Sequence, residues 1–119
     1  MRPEISMSRH DDITSMGQML DHAREAVQMA EGFSRTDLDS DRKLELSLTR
    51  LVEIVGEAAK RVSPNRRAAL PQIPWKEIVG MRNRLTHGYD AVDLDILWNV
   101  IQDDLPPLID QLQTILADK

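Results

Sequence analysis

Apolar residues recur every three or four positions along most of the chain, which is the spacing of amphipathic helices. A first helix is predicted over residues 9–31, with Ser8 as its N-cap and Gly32 as its stop signal. A second helix is predicted over residues 41–62. It contains the small-residue cluster Gly56-Glu57-Ala58-Ala59, which would let a neighbouring helix approach closely.

The second half of the chain predicts two more helices. The triplet Ser63-Pro64-Asn65 ends the second helix, and Pro71 and Pro74 bracket a short loop. A third helix is predicted over residues 74–87, with Gly88 just past its end. The last helix is predicted from about Asp93, with a kink at Pro106-Pro107 because proline removes a backbone donor. The sequence therefore predicts an all-α, antiparallel up-down-up-down four-helix bundle with a kinked C-terminal helix.

Composition agrees with a small helical domain and excludes several classes of site. The 119 residues are the usual size of one domain, predicted over residues 1–119, and the aromatic content of 3% is low for a β-sandwich or barrel. The chain has no cysteine, which excludes a disulfide, a thiol nucleophile and a thiolate zinc site. No apolar run approaches the roughly 20 residues that span a bilayer, and the amino end lacks a signal-peptide pattern. The expected location is the cytoplasm, with no membrane partner.

Charge is distributed unevenly along the chain. The net charge is -5, yet residues 60–87 carry seven basic side chains against the single acid Glu77. We call residues 60–87 the basic segment; its cations are Lys60, Arg61, Arg66, Arg67, Lys76, Arg82 and Arg84. The segments on either side are acidic. Such an asymmetry can attract a phosphate-bearing partner, or the cations can be solvated and pair with the protein's own acidic helices.

Familiar catalytic and metal-binding patterns are missing from the sequence. There is no glycine-rich phosphate-binding loop and no nucleophile elbow. The histidines His10, His22 and His87 are too scattered for an i, i+4 metal pair, and no Glu-x-x-His pattern occurs. The sequence predicts neither a metal site nor a cofactor.

One octet carries candidate chemistry: Arg82-Asn83-Arg84-Leu85-Thr86-His87-Gly88-Tyr89. Cleavage of RNA without a metal needs a base, an acid and cations, which imidazole and guanidinium groups can supply near neutral pH. In a continuous helix Asn83 and His87 would share a face, whereas Arg82 and His87 would point roughly 140° apart. Two copies of the helix end around a two-fold axis would bring Arg82 and His87 together, so we predict a homodimer.

The octet resembles the Arg-x4-His-x-Tyr motif of HEPN-domain proteins, in the branch typified by the HepT toxins. The resemblance covers almost the whole chain. Beyond the octet it includes residues 51–59, 73–75, 93–95 and 103–108. It implies a helical ribonuclease toxin of a type VII-like toxin–antitoxin system, with a composite catalytic site at the dimer interface formed by Arg82, Asn83 and His87.

The resemblance also implies a mode of control. In HepT-type systems the tyrosine at the position of Tyr89 is adenylylated by a cognate nucleotidyltransferase antitoxin of the MntA type, which silences the ribonuclease. A nucleotide there would block the cleft and repel RNA phosphates. Four further cations are predicted to contact RNA phosphates: Arg84 of the octet, and Arg66, Arg67 and Lys76 of the basic segment.

Other interpretations of the same residues remain open. The protein could be a non-catalytic helical partner that docks and regulates a nucleotidyltransferase, or a purely structural dimeric bundle. Arg82 and Arg84 could be solvated, His87 could be a charge at a helix C-terminus, and Tyr89 could be a packing aromatic.

Overall fold

The computed structural model describes the backbone of residues 3–87 and 91–117, and the side chains of residues 11–86 and 91–117. Its elements, in chain order, are α1 (Pro3–Ala30), α2 (Asp37–Ser40), α3 (Arg42–Arg61), α4 (Pro64–Ala69), α5 (Trp75–Val79), α6 (Met81–Leu85), β1 (Thr86–His87), β2 (Ala91–Val92), α7 (Leu94–Asn99), a π-helical turn (Val100–Asp104) and α8 (Leu105–Ala117). The all-α prediction is confirmed. Within the described residues, the β structure amounts to the two-residue antiparallel pair β1–β2.

Three long helices build the core. α1 packs along both α3 and α8, and the short helices α5 to α7 close the remaining side against α3. The apolar stripes meet in one continuous cluster, in which Met16, Leu48 and Leu112 are fully buried. Within the described residues, no helix is long and apolar enough to cross a membrane.

Helix ends follow local capping chemistry. The Asp41 carboxylate accepts a hydrogen bond from the backbone N–H of Leu44 at 3.0 Å and starts α3, as the sequence predicts. Asp93 does the same for α7 through the N–H of Ile96 at 3.0 Å. α1 ends next to Gly32, whose φ of 83° lies in the left-handed region that favours glycine.

The prediction for the beginning of the first helix is wrong. α1 begins at Pro3 and not near Arg9, so Ser8 lies within the helix and is not its N-cap. Proline is well suited to the first helical position, since its φ is already helical and its missing N–H would have had no partner.

The second helix ends where the sequence predicts, and a further short helix, α4, follows it. Ser63 is the N-cap of α4: its hydroxyl accepts from the N–H of Arg66 at 3.3 Å, and Pro64 follows as the first helical residue. Ser63 also donates to Asp12 of α1, through its backbone N–H at 2.8 Å and its hydroxyl at 2.7 Å. Asp12 is only 4% exposed, so this buried carboxylate fixes the start of α4 against α1.

The prolines of the last helix follow an interruption of its α-helical pattern. The N–H of Leu105 donates to the carbonyl of Val100, the i to i−5 bond of a π-turn. α8 then runs through Pro106 and Pro107 to Ala117. The interruption expected at the prolines therefore lies in the turn that precedes them.

A surface ion pair joins two segments that lie 60 residues apart in the sequence. The guanidinium of Arg35 donates to Asp95 at 2.7 Å and to Asp39 at 3.1 Å. These hydrogen bonds raise the pKa of Arg35 above its usual value. The contact ties the connection between α1 and α2 to the first turn of α7.

Candidate active site

The short helix α6 presents three side chains of the octet to solvent. Arg82, Asn83 and Arg84 are all exposed, while Met81 and Leu85 on either side of them are buried in the core. Residues four apart in a helix share a face, so Met81 and Leu85 pack together into the core, and the three polar side chains between them point to solvent. Two cations and an amide thus occupy one exposed helical surface.

The third predicted helix is divided and ends earlier than expected. Gly80 separates α5 from α6, and α6 ends at Leu85. Thr86 is extended, and both its N–H and its hydroxyl bond to the carbonyl of Arg82, the latter at 3.2 Å. The carbonyl of Leu85 accepts from the N–H of Asp93 at 2.7 Å. These contacts satisfy the end of the helix without another helical turn.

His87 therefore lies in β1 and not on a helix. β1 pairs with β2 so that Thr86 faces Val92 and His87 faces Ala91. The prediction that Asn83 and His87 share a helical face is wrong, because the helix stops two residues before His87. The side chain of His87, and Gly88 and Tyr89 altogether, lie outside the described residues.

A glycine in α3 sets how closely the octet segment approaches the core. A Cβ atom at Gly56 would lie 3.1 Å from the carbonyl oxygen of Ile78 and 3.8 Å from the Cβ of Met81. Ile78 is in α5 and Met81 begins α6, so the missing side chain lets both short helices lie directly on α3. This confirms the close approach predicted from the small-residue cluster.

Arg84 is paired with one of the protein's own acids. Its guanidinium lies 3.3 Å from the carboxylate of Asp104, the last residue of the π-turn. The pair borders a groove of about 570 Å³ that is also lined by Glu77 and Asp103. The sequence leaves open whether the cations of the basic segment pair with the protein's own acidic residues, and Arg84 does so. Asp104 was not singled out as a site residue, although the acidic charge of its segment signals such a pairing.

Two other predicted RNA contacts share a different cavity. Arg67 of α4 and Lys76 of α5 line a cavity of about 520 Å³, together with Pro64, Trp75, Val79 and Gly80. The Nε of Arg67 donates to the carbonyl of Val62 at 3.0 Å. Arg66 lies beside Arg67 on α4 but is not part of the lining.

The described residues thus form two separate sets of predicted contacts. Arg82, Asn83 and Arg84 are together on α6, and Arg67 and Lys76 are together between α4 and α5. Among the described residues, no group of three or more histidines and carboxylates is placed to hold a metal ion.

Comparison with known proteins identifies the family. The family model described as "Ribonuclease HepT-like" matches residues 19–115. "Probable ribonuclease HepT" of Thermococcus cleftensis is 36% identical over an alignment of 93 residues that covers 75% of this chain and 84% of that protein. A "Putative RNase" of Caldanaerobacter subterraneus subsp. tengcongensis is 37% identical over 90 residues, covering 76% of this chain and 80% of the relative. A "Putative RNase" of Methanocaldococcus jannaschii is 27% identical over 109 residues, covering 92% of this chain and all of that protein.

No solved structure matches. With a family model that spans most of the chain, including the whole of the octet, this protein belongs to the HepT-like ribonuclease family.

Proposed function

We propose that the protein is a metal-independent endoribonuclease that cleaves RNA with Arg82, Asn83 and His87. The observation that carries the proposal is the surface of α6, where Arg82 and Asn83 are exposed while their neighbours Met81 and Leu85 are buried in the core. The proposal is supported by the family of the chain, which is that of the HepT-like ribonucleases. Two guanidinium groups on an acidic protein are suited to phosphate, since each offers a planar set of donors that cannot lose its charge.

The proposed reaction is an internal transesterification. The 2′-oxygen of RNA forms a bond to phosphorus while the bond from phosphorus to the 5′-oxygen breaks, which leaves a 2′,3′-cyclic phosphate and a free 5′-hydroxyl. One imidazole takes the proton of the 2′-hydroxyl, and a second, protonated imidazole gives a proton to the leaving oxygen. Arg82 and Asn83 stabilise the charge that develops on the phosphate oxygens.

This scheme uses two copies of His87, and we propose a homodimer that supplies them at a composite interface. Because His87 lies in β1 and not on a helix, helical geometry does not require a second chain. The dimer is supported by the resemblance to HEPN ribonucleases and by the need for both an acid and a base.

Subunit exchange between the wild type and His87→Ala tests the composite site. Arg82→Ala and His87→Ala should each lose activity, by about 10²–10⁴-fold for the proton-transfer group. If one site uses the imidazoles of both chains, a mixed dimer of wild type and His87→Ala lacks either the acid or the base, so a 1:1 mixture should keep about half of the activity of the same amount of unmixed wild type. Full activity of the mixture after subunit exchange would show that each chain works with its own His87 alone.

The ribonuclease assignment itself needs a matched control. His22→Gln alters a half-buried histidine of α1 whose Nδ1 bonds to the carbonyl of Gln18 at 2.8 Å and which belongs to neither the octet nor the basic segment. It should cleave RNA like the wild type in the presence of EDTA, whereas His87→Ala should not. Cleavage by His87→Ala at the wild-type rate, or loss of wild-type cleavage with EDTA, would contradict the proposal.

We further propose that the protein is the toxin of a type VII-like toxin–antitoxin pair in the cytoplasm. Its partner would be an MntA-like nucleotidyltransferase that adenylylates Tyr89. Tyr89 is the only tyrosine in the chain. After incubation with the partner and ATP, intact mass should show an adenylyl addition, and a peptide that spans Arg84 to Asp90 should carry it. Expression of the wild type should arrest growth, and Tyr89→Phe should stay toxic but resist silencing. Full silencing of Tyr89→Phe would point to inhibition by tight binding.

A further inference from the structure

The cations of the basic segment differ in whether acids face them. The groove at Arg84 contains three carboxylates, those of Glu77, Asp103 and Asp104. The cavity between α4 and α5 contains Arg67 and Lys76 and no acidic residue. Among the described residues, neither of these two cations forms an ion pair. An anion that enters this cavity therefore meets two positive charges without displacing a carboxylate.

Arg67 is held ready for such an anion. Its side chain is half-buried, and the bond from Nε to the carbonyl of Val62 fixes the guanidinium while the terminal nitrogens stay available. A prearranged guanidinium loses less conformational entropy when it binds. Lys76 is exposed on α5 and adds a mobile charge on the same cavity.

The rest of the cavity lining is uncharged and largely apolar. Trp75 is 8% exposed, and its indole N–H is already bonded to the carbonyl of Leu70 at 2.9 Å, so it offers the cavity carbon surface and no free donor. Pro64 and Val79 extend this surface. A cavity of about 520 Å³ with two cations and an apolar wall suits a ligand that has a phosphate and a flat apolar part.

The cavity adjoins the octet. Gly80 lines it and is also the residue that precedes α6, two positions before Arg82. We propose that this cavity is a second nucleotide subsite, in which Arg67 and Lys76 bind a phosphate of the RNA strand away from the cleaved bond while a neighbouring base lies on the Trp75 wall. The inference rests on the proposed ribonuclease function and specifies how its substrate is held.

The direct test follows the two tryptophans by NMR. Trp75 and Trp98 each give one indole N–H signal, and Trp98 is not part of the cavity. Titration with an all-2′-deoxy oligonucleotide, which lacks the attacking hydroxyl, should shift the Trp75 signal and leave that of Trp98 in place. AMP should bind more weakly, because it lacks the rest of the strand. Equal affinity for AMP would mean a mononucleotide site and overturn the assignment to an RNA strand.

Variants separate the subsite from general electrostatics. Lys76→Ala should weaken oligonucleotide binding roughly three- to tenfold and reduce the salt dependence by about 0.7 in the slope of log Kd against log salt. Lys43→Ala is the matched control, since Lys43 is an exposed lysine of α3 outside the basic segment. Arg67→Ala should weaken oligonucleotide binding as much as Lys76→Ala does. Arg67→Lys keeps the charge but not the planar donor set, and should fall between Arg67→Ala and the wild type.

The outcomes distinguish this inference from the function on which it rests. If RNA is cleaved but Lys76→Ala binds like Lys43→Ala, the subsite is wrong and the ribonuclease proposal stands. If the Trp75 signal shifts and Lys76→Ala weakens binding while no RNA is cleaved, the binding site stands and the catalytic proposal fails. Absence of any Trp75 shift at saturating oligonucleotide would overturn the subsite outright.

Discussion

Substituting Gly56 by alanine would add a methyl group where α3 touches the segment that carries the octet. The new Cβ would lie 3.1 Å from the carbonyl oxygen of Ile78, which is backbone and cannot rotate away. α5 would have to move by a few tenths of an ångström, and α6 follows it directly in the chain. The substitution therefore displaces the helix of Arg82 without changing any polar group.

Gly17→Ala supplies the matched control. Gly17 is also inside a long helix, α1, but a Cβ there meets no atom within 4 Å. Alanine is favoured over glycine in a helix by about 1 kcal/mol. For a domain of this size that corresponds to a rise in Tm of about 4 °C. Gly56→Ala has the same gain in helix propensity but an overpacking cost of about 1–3 kcal/mol. We expect it to melt about 4–12 °C below Gly17→Ala.

Thermal unfolding and RNA cleavage should be measured on both variants. Gly17→Ala should keep wild-type cleavage. Gly56→Ala should lose more activity than its stability explains. A displacement of about 1 Å can cost about 10²-fold in rate, so a shift of a few tenths of an ångström should cost about two- to fivefold. If Gly56→Ala is stabilised as much as Gly17→Ala and cleaves RNA normally, the contact between α3 and α5 does not position the octet.

Two further substitutions test the ion pair of α6 and the cap of α4. Asp104→Asn should free Arg84 and strengthen RNA binding. We expect the affinity to rise about two- to fivefold more than for Asp103→Asn, which removes the same charge without breaking the pair. Equal affinities of the two variants would show that the pair does not compete with RNA. Ser63→Ala should lower the free energy of unfolding by about 1–3 kcal/mol in a denaturant titration, because α4 loses its cap and the buried Asp12 carboxylate loses a hydroxyl donor. A change below about 0.5 kcal/mol would refute the role of this cap.

The long elements could be predicted because their signals are local. The apolar stripe and the acidic cap of α3 lie within the segment itself, so the predicted range of 41–62 agrees with Arg42–Arg61. The start of the last helix was predicted near Asp93 for the same reason, and Asp93 is its N-cap. An apolar period and a capping side chain determine these elements without reference to distant residues.

The short elements near the site depend on partners that the local sequence does not reveal. Ser63-Pro64 is equally suited to end one helix and begin the next, and Asp12, far away in the chain, holds Ser63 as the start of α4. The end of α6 depends on Thr86 and on the bond from the N–H of Asp93 to Leu85. A helical pattern continued to His87 could not anticipate that bond.

For the candidate site, the sequence predicted which residues carry positive charge but not how they are grouped. It placed Arg84, Arg67 and Lys76 in one class of phosphate contacts. The structure pairs Arg84 with Asp104 and leaves Arg67 and Lys76 together in a cavity without acids. The grouping depends on the packing of α4, α5 and the π-turn, which no short sequence window contains.

The bond between Asp12 and Ser63 also bears on the order in which the chain folds. It joins residues 51 positions apart, and α4 has only six residues, too few to be stable alone. We therefore expect α4 to form only after α1 has docked on α3 and brought Asp12 to Ser63. Arg66 and Arg67 would take their places together with α4, so the phosphate contacts proposed for them would require the folded core.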